Sequence, residues 1–231
     1  MQGILLVDKP KGWTSFDVVN YVRKIIAQNE GKKPKNVKVG HSGTLDPLAT
    51  GLLVLLVGKD YTKRADEFSK LDKTYEVTMK LGETSSTADE EGNKTAVSSK
   101  VPPIEEINWA LDKFTGELSQ VPPIYSAVKV DGQRAYKLAR QGKEVEIAPR
   151  QVHVYENRLV GYDYPLVRFD SSVSSGTYIR SLVEDIGKEL ATGAYMSDLR
   201  RTIVGDFNIK NAIRIDGLDY AKINENRMEL G

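Results

Sequence analysis

GHSGTLDPLATGLLVLLVG, residues 40–58, joins a polar, glycine-punctuated segment to an unbroken apolar run. The polar half holds His41, Ser42, Thr44 and Asp46, and the apolar half, 52–57, is LLVLLV. Short apolar runs bounded by Gly are typical of buried strands, although periodicity alone does not exclude a buried helix. The polar half is therefore expected to be anchored to the core and held over a cleft. Pro47 directly follows Asp46 and disfavours helical backbone angles there. A carboxylate on a rigid loop at the lip of a core element is a candidate for chemistry, and it needs partners from elsewhere in the chain.

The remaining 212 or so residues bound what those partners are. The chain has 231 residues, 40% hydrophobic and 28% charged, so a substantial core is expected and global disorder is not. There is no cysteine, which excludes disulfides, cysteine nucleophiles and thiolate metal sites and fits a reducing cytoplasm. The N-terminal apolar stretch is too short for a signal peptide, and no run approaches the roughly 20 apolar residues of a spanning helix. Net charge is only +1, but it is unevenly spread. Residues 1–64 carry 11 Lys/Arg against 5 Asp/Glu, and residues 83–117 carry 3 against 8. A basic region offset by an acidic one is compatible with polyphosphate binding, and equally with ordinary solvated faces.

Around the central stretch, residues 3–7 (GILLV) read as an opening strand followed by a turn at 8–12. Ser15 suits a helix N-cap, with Phe16, Val19, Val22, Ile25 and Ile26 at helical spacing to about Gln28. Residues 29–38 form a basic loop, 61–71 a polar helix and 74–81 an alternating strand. Residues 82–100 read as an acidic surface loop and 104–114 as a helix ended by Gly116. Asp131-Gly132 is a hairpin-type turn, and 134–141 a short basic helix closed by Gly142. Residues 145–160 and 166–173 read as strands, 178–190 as a helix and 202–209 as a further strand, and the tail from 224 is expected to fray. Elements interleave without a regular βαβ repeat, which favours an α+β fold with a mixed, largely antiparallel sheet in a single domain over 1–231.

Most familiar chemistries fail on these residues. Gly51 and Gly58-Lys59 are too far apart for a phosphate loop, and Asp60 stands where Ser/Thr would hold magnesium. There is no G-x-S-x-G, because Gly43 is followed by Thr44. His41 and Ser42 point to opposite sides of an extended backbone. Two histidines and no cysteine make a poor zinc set, and His153 reads as an ordinary strand residue. Asp46 remains, with three distant features: Tyr75 at the start of a strand, Tyr178 and Arg180 at a helix N-terminus after a glycine turn, and Leu199 before the pair Arg200 and Arg201. Taken singly these read as a core tyrosine, a surface ion pair and solvated charge.

Together, the stretches resemble the TruB family of tRNA pseudouridine synthases. They are GILLVDKPKGWTS (3–15), GHSGTLDPLATGLL (40–53), KTYE (73–76), VPPIYSAVKVDGQRAYKLARQG (121–142), SSGTYIRSL (174–182) and LRRT (199–202). The resemblance implies that uridine 55 in the T arm of tRNA is isomerised to pseudouridine with no cofactor and no metal, the base being detached, turned and rejoined through C5. Asp46 matches the catalytic aspartate, and whether it attacks sugar or base or abstracts a ribose proton is left open. Arg180 matches the arginine that pairs with it, Tyr75 the tyrosine lying against the base, and Tyr178 and Leu199 other residues around the uridine. His41 matches the residue that fills or supports the loop vacated when the base is flipped out. Phosphate contacts are expected from Lys32, Lys33, Lys35 and Lys38, from Lys59, Lys63 and Arg64, and from Arg134, Lys137, Arg140 and Lys143. The last four lie in a flap-like insertion at about 122–150.

Two departures accompany the resemblance. Ser42 stands where the family more usually has Thr, and the chain ends at Gly231, where most relatives carry a further PUA-type RNA-binding domain. A short form that relies on the T arm, acting as a monomer in the cytoplasm, is the expectation. The rival readings are an RNA-binding or tRNA-folding module with dispensable catalysis, a synthase acting on another T-loop-like RNA, and, more distantly, a carboxylate-dependent nucleosidase.

Overall fold

The apolar run at 52–57 is a strand covered on both faces, and much of the surrounding architecture follows from that. The computed structural model describes residues 1–126, 128–130, 132–135, 138, 141 and 146–229. In chain order the elements are β1 (Gly3–Lys9), α1 (Ser15–Asn29), a 3-10 turn (Pro34–Asn36), β2 (Val39–Ser42), β3 (Thr50–Val57), α2 (Lys59–Thr62), α3 (Ala65–Ser69), β4 (Lys73–Leu81), β5 (Glu83–Ser85) and β6 (Lys94–Ala96). They continue with α4 (Ile104–Lys113), β7 (Gly116–Gln120), β8 (Lys129–Val130), β9 (Gln133–Arg134), β10 (Arg150–Asp163), β11 (Leu166–Val173), α5 (Ile179–Glu189), β12 (Ala194–Val204), β13 (Phe207–Asn208), a second 3-10 turn (Ile209–Asn211), β14 (Ile213–Arg214) and α6 (Tyr220–Asn226). They fall into two compact units, residues 1–75 with 199–231 and residues 76–198. Both crossings of the chain lie inside strands, β4 and β12, so no change of composition marks them, and the sequence reads as one domain.

In the first unit β3 pairs antiparallel with β1 along its whole length, from Gly3↔Val57 to Lys9↔Gly51. Its opposite edge is shared: β2 runs antiparallel to residues 54–57, and β12 runs parallel to residues 50–51. Because side chains alternate across a strand, Leu53, Leu55 and Val57 join Leu5 and Val7 under α1. Leu52, Val54 and Leu56 join Ile4 and Leu6 on the other face, against Phe68 of α3 and Val204. A strand buried on both faces reads as a continuous apolar run. α1 presents Val18, Val19, Val22 and Ile26 to the first of these clusters. Its N-cap is Thr14, one residue before the expected Ser15, in a capping box with Asp17. The C-terminal stretch expected to fray is instead held to β1, with Ile4 and Met228 exchanging backbone hydrogen bonds at 2.8 Å each.

The second unit has the strand order β4-β11-β10-β7, with antiparallel β10–β11 and β10–β7 pairs. Helices α4 and α5 bury Ile107 and Leu111, and Leu182, Val183 and Ile186. The Asn157 amide on β10 donates to the carbonyls of Leu111 and Phe114, fixing the end of α4. The segment 82–100 is more structured than its composition suggests, since β5 and β6 form a hairpin and Ala88 and Asp89 are buried. The hairpin expected about 131–132 is present as β8 paired with β9. The expected basic helix over 134–141 is not described along most of its length. The mixed, largely antiparallel α+β architecture is as expected.

Candidate active site

The Asp46 loop, residues 43–49, connects β2 to β3 and is fastened from several sides. The buried Ser15 hydroxyl accepts from the Leu45 N–H (2.8 Å) and donates to the Leu45 carbonyl (3.1 Å). On the other side of Asp46, the Pro47 carbonyl accepts from the Gly12 N–H (2.8 Å) and from the Lys9 ammonium (3.2 Å). Lys9 also donates to the carbonyls of Trp13 (2.6 Å) and Pro10 (3.1 Å), although its side chain starts inside β1 and is fully buried. Within the loop the Asp46 carbonyl accepts from Ala49 N–H at 3.1 Å.

Arg201 closes the same loop from the β12 side. Its Nε donates to the carbonyl of Leu52 (2.8 Å), between the parts of β3 held by β12 and by β2, and its Nη2 donates to the carbonyl of Gly43 (2.9 Å). The guanidinium thus takes up a strand-edge carbonyl where β3 changes partner. Here β3 and β12 approach so closely that a Cβ on Gly51 would lie 2.3 Å from the Arg201 carbonyl, and Gly51 has φ +102. Glycine is the residue that fits both constraints. Arg201 is 1% exposed, and its neighbour Arg200 forms a two-pronged ion pair with Asp8 of β1, at 3.0 and 2.7 Å. Neither arginine is merely solvated charge, contrary to their reading in isolation.

Burial of these cations shows in their protonation. Lys9 is lowered from an ordinary 10.5 to about 8, chiefly by burial, with the Asp46 carboxylate opposing that shift and Arg201 reinforcing it. Lys73, at the start of β4, is also lowered to about 8 by burial and then by Arg201. Two lysines and an arginine therefore surround the loop that carries Asp46.

His41 lies in β2 opposite Leu55. Burial, and then Arg201, lowers its pKa, which favours the neutral ring. Among the described residues its buried Nδ1 has no hydrogen-bond partner. Leu199 precedes the pair Arg200 and Arg201 that registers β12 on β3, and Tyr75 follows Thr74, whose carbonyl accepts from the Thr202 hydroxyl at 3.2 Å. Leu199 and Tyr75 are 7% and 8% exposed. The strand contacts thus bring the Asp46 loop, Leu199 and Tyr75 onto successive strands of the first unit.

Tyr178 and Arg180 belong to the second unit. Tyr178 is the N-cap of α5, held by Gln120, whose side-chain amide accepts from the Tyr178 N–H (2.8 Å) and donates to its carbonyl (3.1 Å). The Arg150 guanidinium lies 4.6 Å from the centre of the Tyr178 ring. Arg180 is 6% exposed and lies 3.5 Å from the Asp89 carboxylate, itself gripped by the Thr87 hydroxyl and the Glu91 N–H. Arg180 also donates to the carbonyls of Thr87 (3.3 Å) and Tyr125 (2.9 Å). It therefore ties α5 to the entry of the insertion expected as a flap.

Of the basic residues expected to face phosphate, Lys33, Lys35, Lys38, Lys59 and Lys63 are exposed. Lys32 pairs with Glu30 (2.7 Å) and Arg64 with Glu67 (2.9 Å). Lys137, Arg140, Lys143 and the side chain of Arg134 lie outside the described residues. Sequence reasoning did not single out Lys9, Asp89 or Gln120, and it read Ser15 only as a helix cap and Arg201 only as half of a charged pair. Lys9 and Arg201 stand inside conspicuous motifs, but an isolated lysine or arginine in a chain reads as surface. Asp89 is hidden in an acidic stretch. Among the described residues no cluster of His, Asp or Glu is arranged to hold a metal ion, and no helix is long and apolar enough to cross a membrane.

Comparison with known proteins bears on this geometry. Residues 30–179 match the model of the TruB family pseudouridylate synthase N-terminal domain, and residues 180–229 that of the tRNA pseudouridylate synthase B C-terminal domain. The tRNA pseudouridine synthase B of Clostridium acetobutylicum is 46% identical over 98% of this chain and 75% of its own length. That of Chlamydia pneumoniae is 42% identical over 95% and 89%. Among solved structures, a chain of a Cbf5-Nop10-Gar1 complex superposes with a TM-score of 0.71 at 30% identity, covering 94% of this chain and 53% of that one. This chain thus spans about half the length of that solved relative. With family models covering 30–229 and relatives above 40% identity over most of both chains, the protein belongs to the TruB family of pseudouridylate synthases.

Proposed function

We propose that the protein isomerises uridine to pseudouridine at position 55, in the T arm of tRNA, and that Asp46 is the carboxylate on which the reaction depends. The observation that carries this reading is the clamped Asp46 loop, fastened through Ser15, Gly12, Lys9 and Arg201 in a chain of this family. The reaction breaks the N1–C1′ bond, forms a C5–C1′ bond, releases the C5 proton and returns a proton to N1. Nothing is oxidised or lost, so side chains suffice and no cofactor or metal is needed. A carboxylate carried on a loop whose backbone is fastened on both sides of it starts from a fixed position while the base turns, which is the positioning contribution. The buried Lys9 ammonium attracts its negative charge.

Around it, Tyr75 supplies an aromatic face that replaces RNA stacking, worth about 1–3 kcal/mol per base. Leu199 and Tyr178 complete the surroundings of the base, Arg180 pairs with Asp46 in the loaded site, and the neutral His41 ring supports the loop the uridine leaves. The exposed lysines of 33–38 and 59–63, with the basic residues of the flap, follow the phosphates. The enzyme works on tRNA without a protein partner, in the cytoplasm. The test is tritium release from C5-labelled uridine in a T-arm stem-loop transcript. Stoichiometric release is expected, and none above background with folded protein overturns the reading.

A further inference from the structure

One face of α1, with the turn before it, forms a cleft that the reaction does not use. Gly12, Trp13, Asp17, Asn20, Tyr21 and Lys24 line about 420 Å³, within the size range of small-ligand pockets, roughly 300–1,000 Å³. Positions 17, 20, 21 and 24 are spaced at three and four residues, which puts them on one side of the helix. Trp13 and Tyr21 are only half-buried and meet edge to face, with centroids 5.7 Å apart at 83°. An edge-to-face pair leaves ring surface uncovered for another flat group.

The polar groups of the cleft have defined roles. The Asn20 side-chain oxygen accepts from Arg23 at 2.8 Å, and among the described residues no acceptor takes its amide hydrogens. The Asp17 carboxylate is engaged by the Thr14 N–H (2.9 Å) and hydroxyl (2.6 Å) as part of the helix cap. Lys24 is exposed. The wall is joined to the Asp46 loop, since the Trp13 carbonyl accepts from Lys9, which also donates to the Pro47 carbonyl, and the Gly12 N–H donates to that same carbonyl.

We propose that this cleft is a second nucleotide subsite, holding one unpaired base of the RNA substrate against Trp13 and Tyr21. Asn20 donates to a ring carbonyl, as uracil, cytosine and guanine offer and adenine does not, and Lys24 faces the adjoining phosphate. This chemistry, aromatic faces with an amide and a cation, is that of single-strand RNA recognition. The inference rests on the functional reading above, since it takes the RNA substrate as its ligand.

The sequence allows a direct optical test because there are only two tryptophans, Trp13 and Trp109. Trp109 is half-exposed on α4, beneath Lys113, and its replacement leaves Trp13 as the sole tryptophan. In a protein carrying Trp109→Phe and Asp46→Asn, Trp13 emission is titrated with T-arm stem-loop RNA while anisotropy of labelled RNA reports binding. Quenching that saturates together with the anisotropy is expected. In the otherwise unaltered enzyme, Asn20→Ala and Lys24→Glu, both surface changes, are expected to raise KM by about three- to tenfold with kcat retained, and Trp13→Leu to weaken binding by roughly tenfold or more. Normal binding with unchanged Trp13 emission overturns the subsite alone. So does quenching with KM unmoved in both Asn20→Ala and Lys24→Glu. Absence of any RNA binding by anisotropy overturns the functional reading and the subsite with it.

Discussion

Ser15→Ala tests the claim that a buried hydroxyl is one of the groups that hold the Asp46 loop. The substitution deletes the acceptor of the Leu45 N–H and the donor to the Leu45 carbonyl, bonds of 2.8 and 3.1 Å. Both residues are almost completely buried, at 2% and 3% exposure, so water does not readily replace the lost partner. Leaving a buried polar group unpaired costs about 1–3 kcal/mol, and relaxation of the loop recovers part of two such penalties, so about 2–3 kcal/mol is expected. For a chain of this length, about 2–4 °C per kcal/mol gives a fall in Tm of roughly 4–12 °C. Because Leu45 adjoins Asp46, the slackened loop also misplaces the carboxylate, and a displacement of about 1 Å costs up to 100-fold in rate. The assay is single-turnover tritium release at saturating RNA and 20 °C, with the melting curve followed by circular dichroism. A lowered Tm together with a single-turnover rate reduced at least tenfold is expected. A Tm within about 2 °C of the parent and an unchanged rate would refute the argument that Ser15 positions the loop.

Asp46→Asn is expected to abolish turnover while retaining RNA binding by anisotropy, and comparable activity would show that the wrong carboxylate had been chosen. Tyr75→Phe keeps the stacking face and loses the hydroxyl. Slowed product formation with binding retained assigns the hydroxyl a chemical part, whereas unchanged turnover confines Tyr75 to stacking. Lys73 has a folded pKa of about 8 against an ordinary 10.5, so between these values the unfolded chain holds more protons than the folded one. Its contribution to stability therefore rises with pH over that window, by at most about 1.4 kcal/mol per pH unit. Urea unfolding of wild type and Lys73→Met at pH 7, 8, 9 and 10 is expected to move in favour of wild type as pH increases, and a constant difference would contradict it. Rising salt weakens T-arm binding, and Lys33→Glu or Lys35→Glu is expected to flatten the log–log slope more than Lys32→Glu, because Lys32 is already paired with Glu30. Equal slopes for all three variants would remove these lysines from the RNA track.

Local sequence is a good guide where local physics dominates. The run at 52–57, the alternation at 74–81, the strand at 166–173 and the helical spacing of Val19, Val22 and Ile26 all correspond to elements actually present. Each writes its own periodicity into a few consecutive residues. The strand β12 is the instructive failure: read as beginning near 202, it begins at Ala194 and carries Asp198, Arg200 and Arg201 through its middle. Three charges within four residues look like surface loop until Arg200 finds Asp8 and Arg201 finds the carbonyls of Leu52 and Gly43. Those partners lie about 150 or more positions away in the chain. The tail after 224 looked loose for the same reason, since its backbone hydrogen bonds are made with β1, at the other end of the chain.

The candidate site divides in the same way. Asp46 was legible from the sequence as a candidate, because glycine punctuation, Pro47 and the adjoining apolar strand are contiguous signals. The tertiary structure decided what holds Asp46 still: a serine from α1, a buried lysine from β1 and a buried arginine from β12, each acting through a backbone carbonyl or amide of the loop. Backbone groups carry no sequence signature, so nothing in the residue types around Asp46 announces who satisfies them. A buried cation among carbonyls is written with the same letter as a solvated one, and only the packing of strands that are remote in sequence tells them apart.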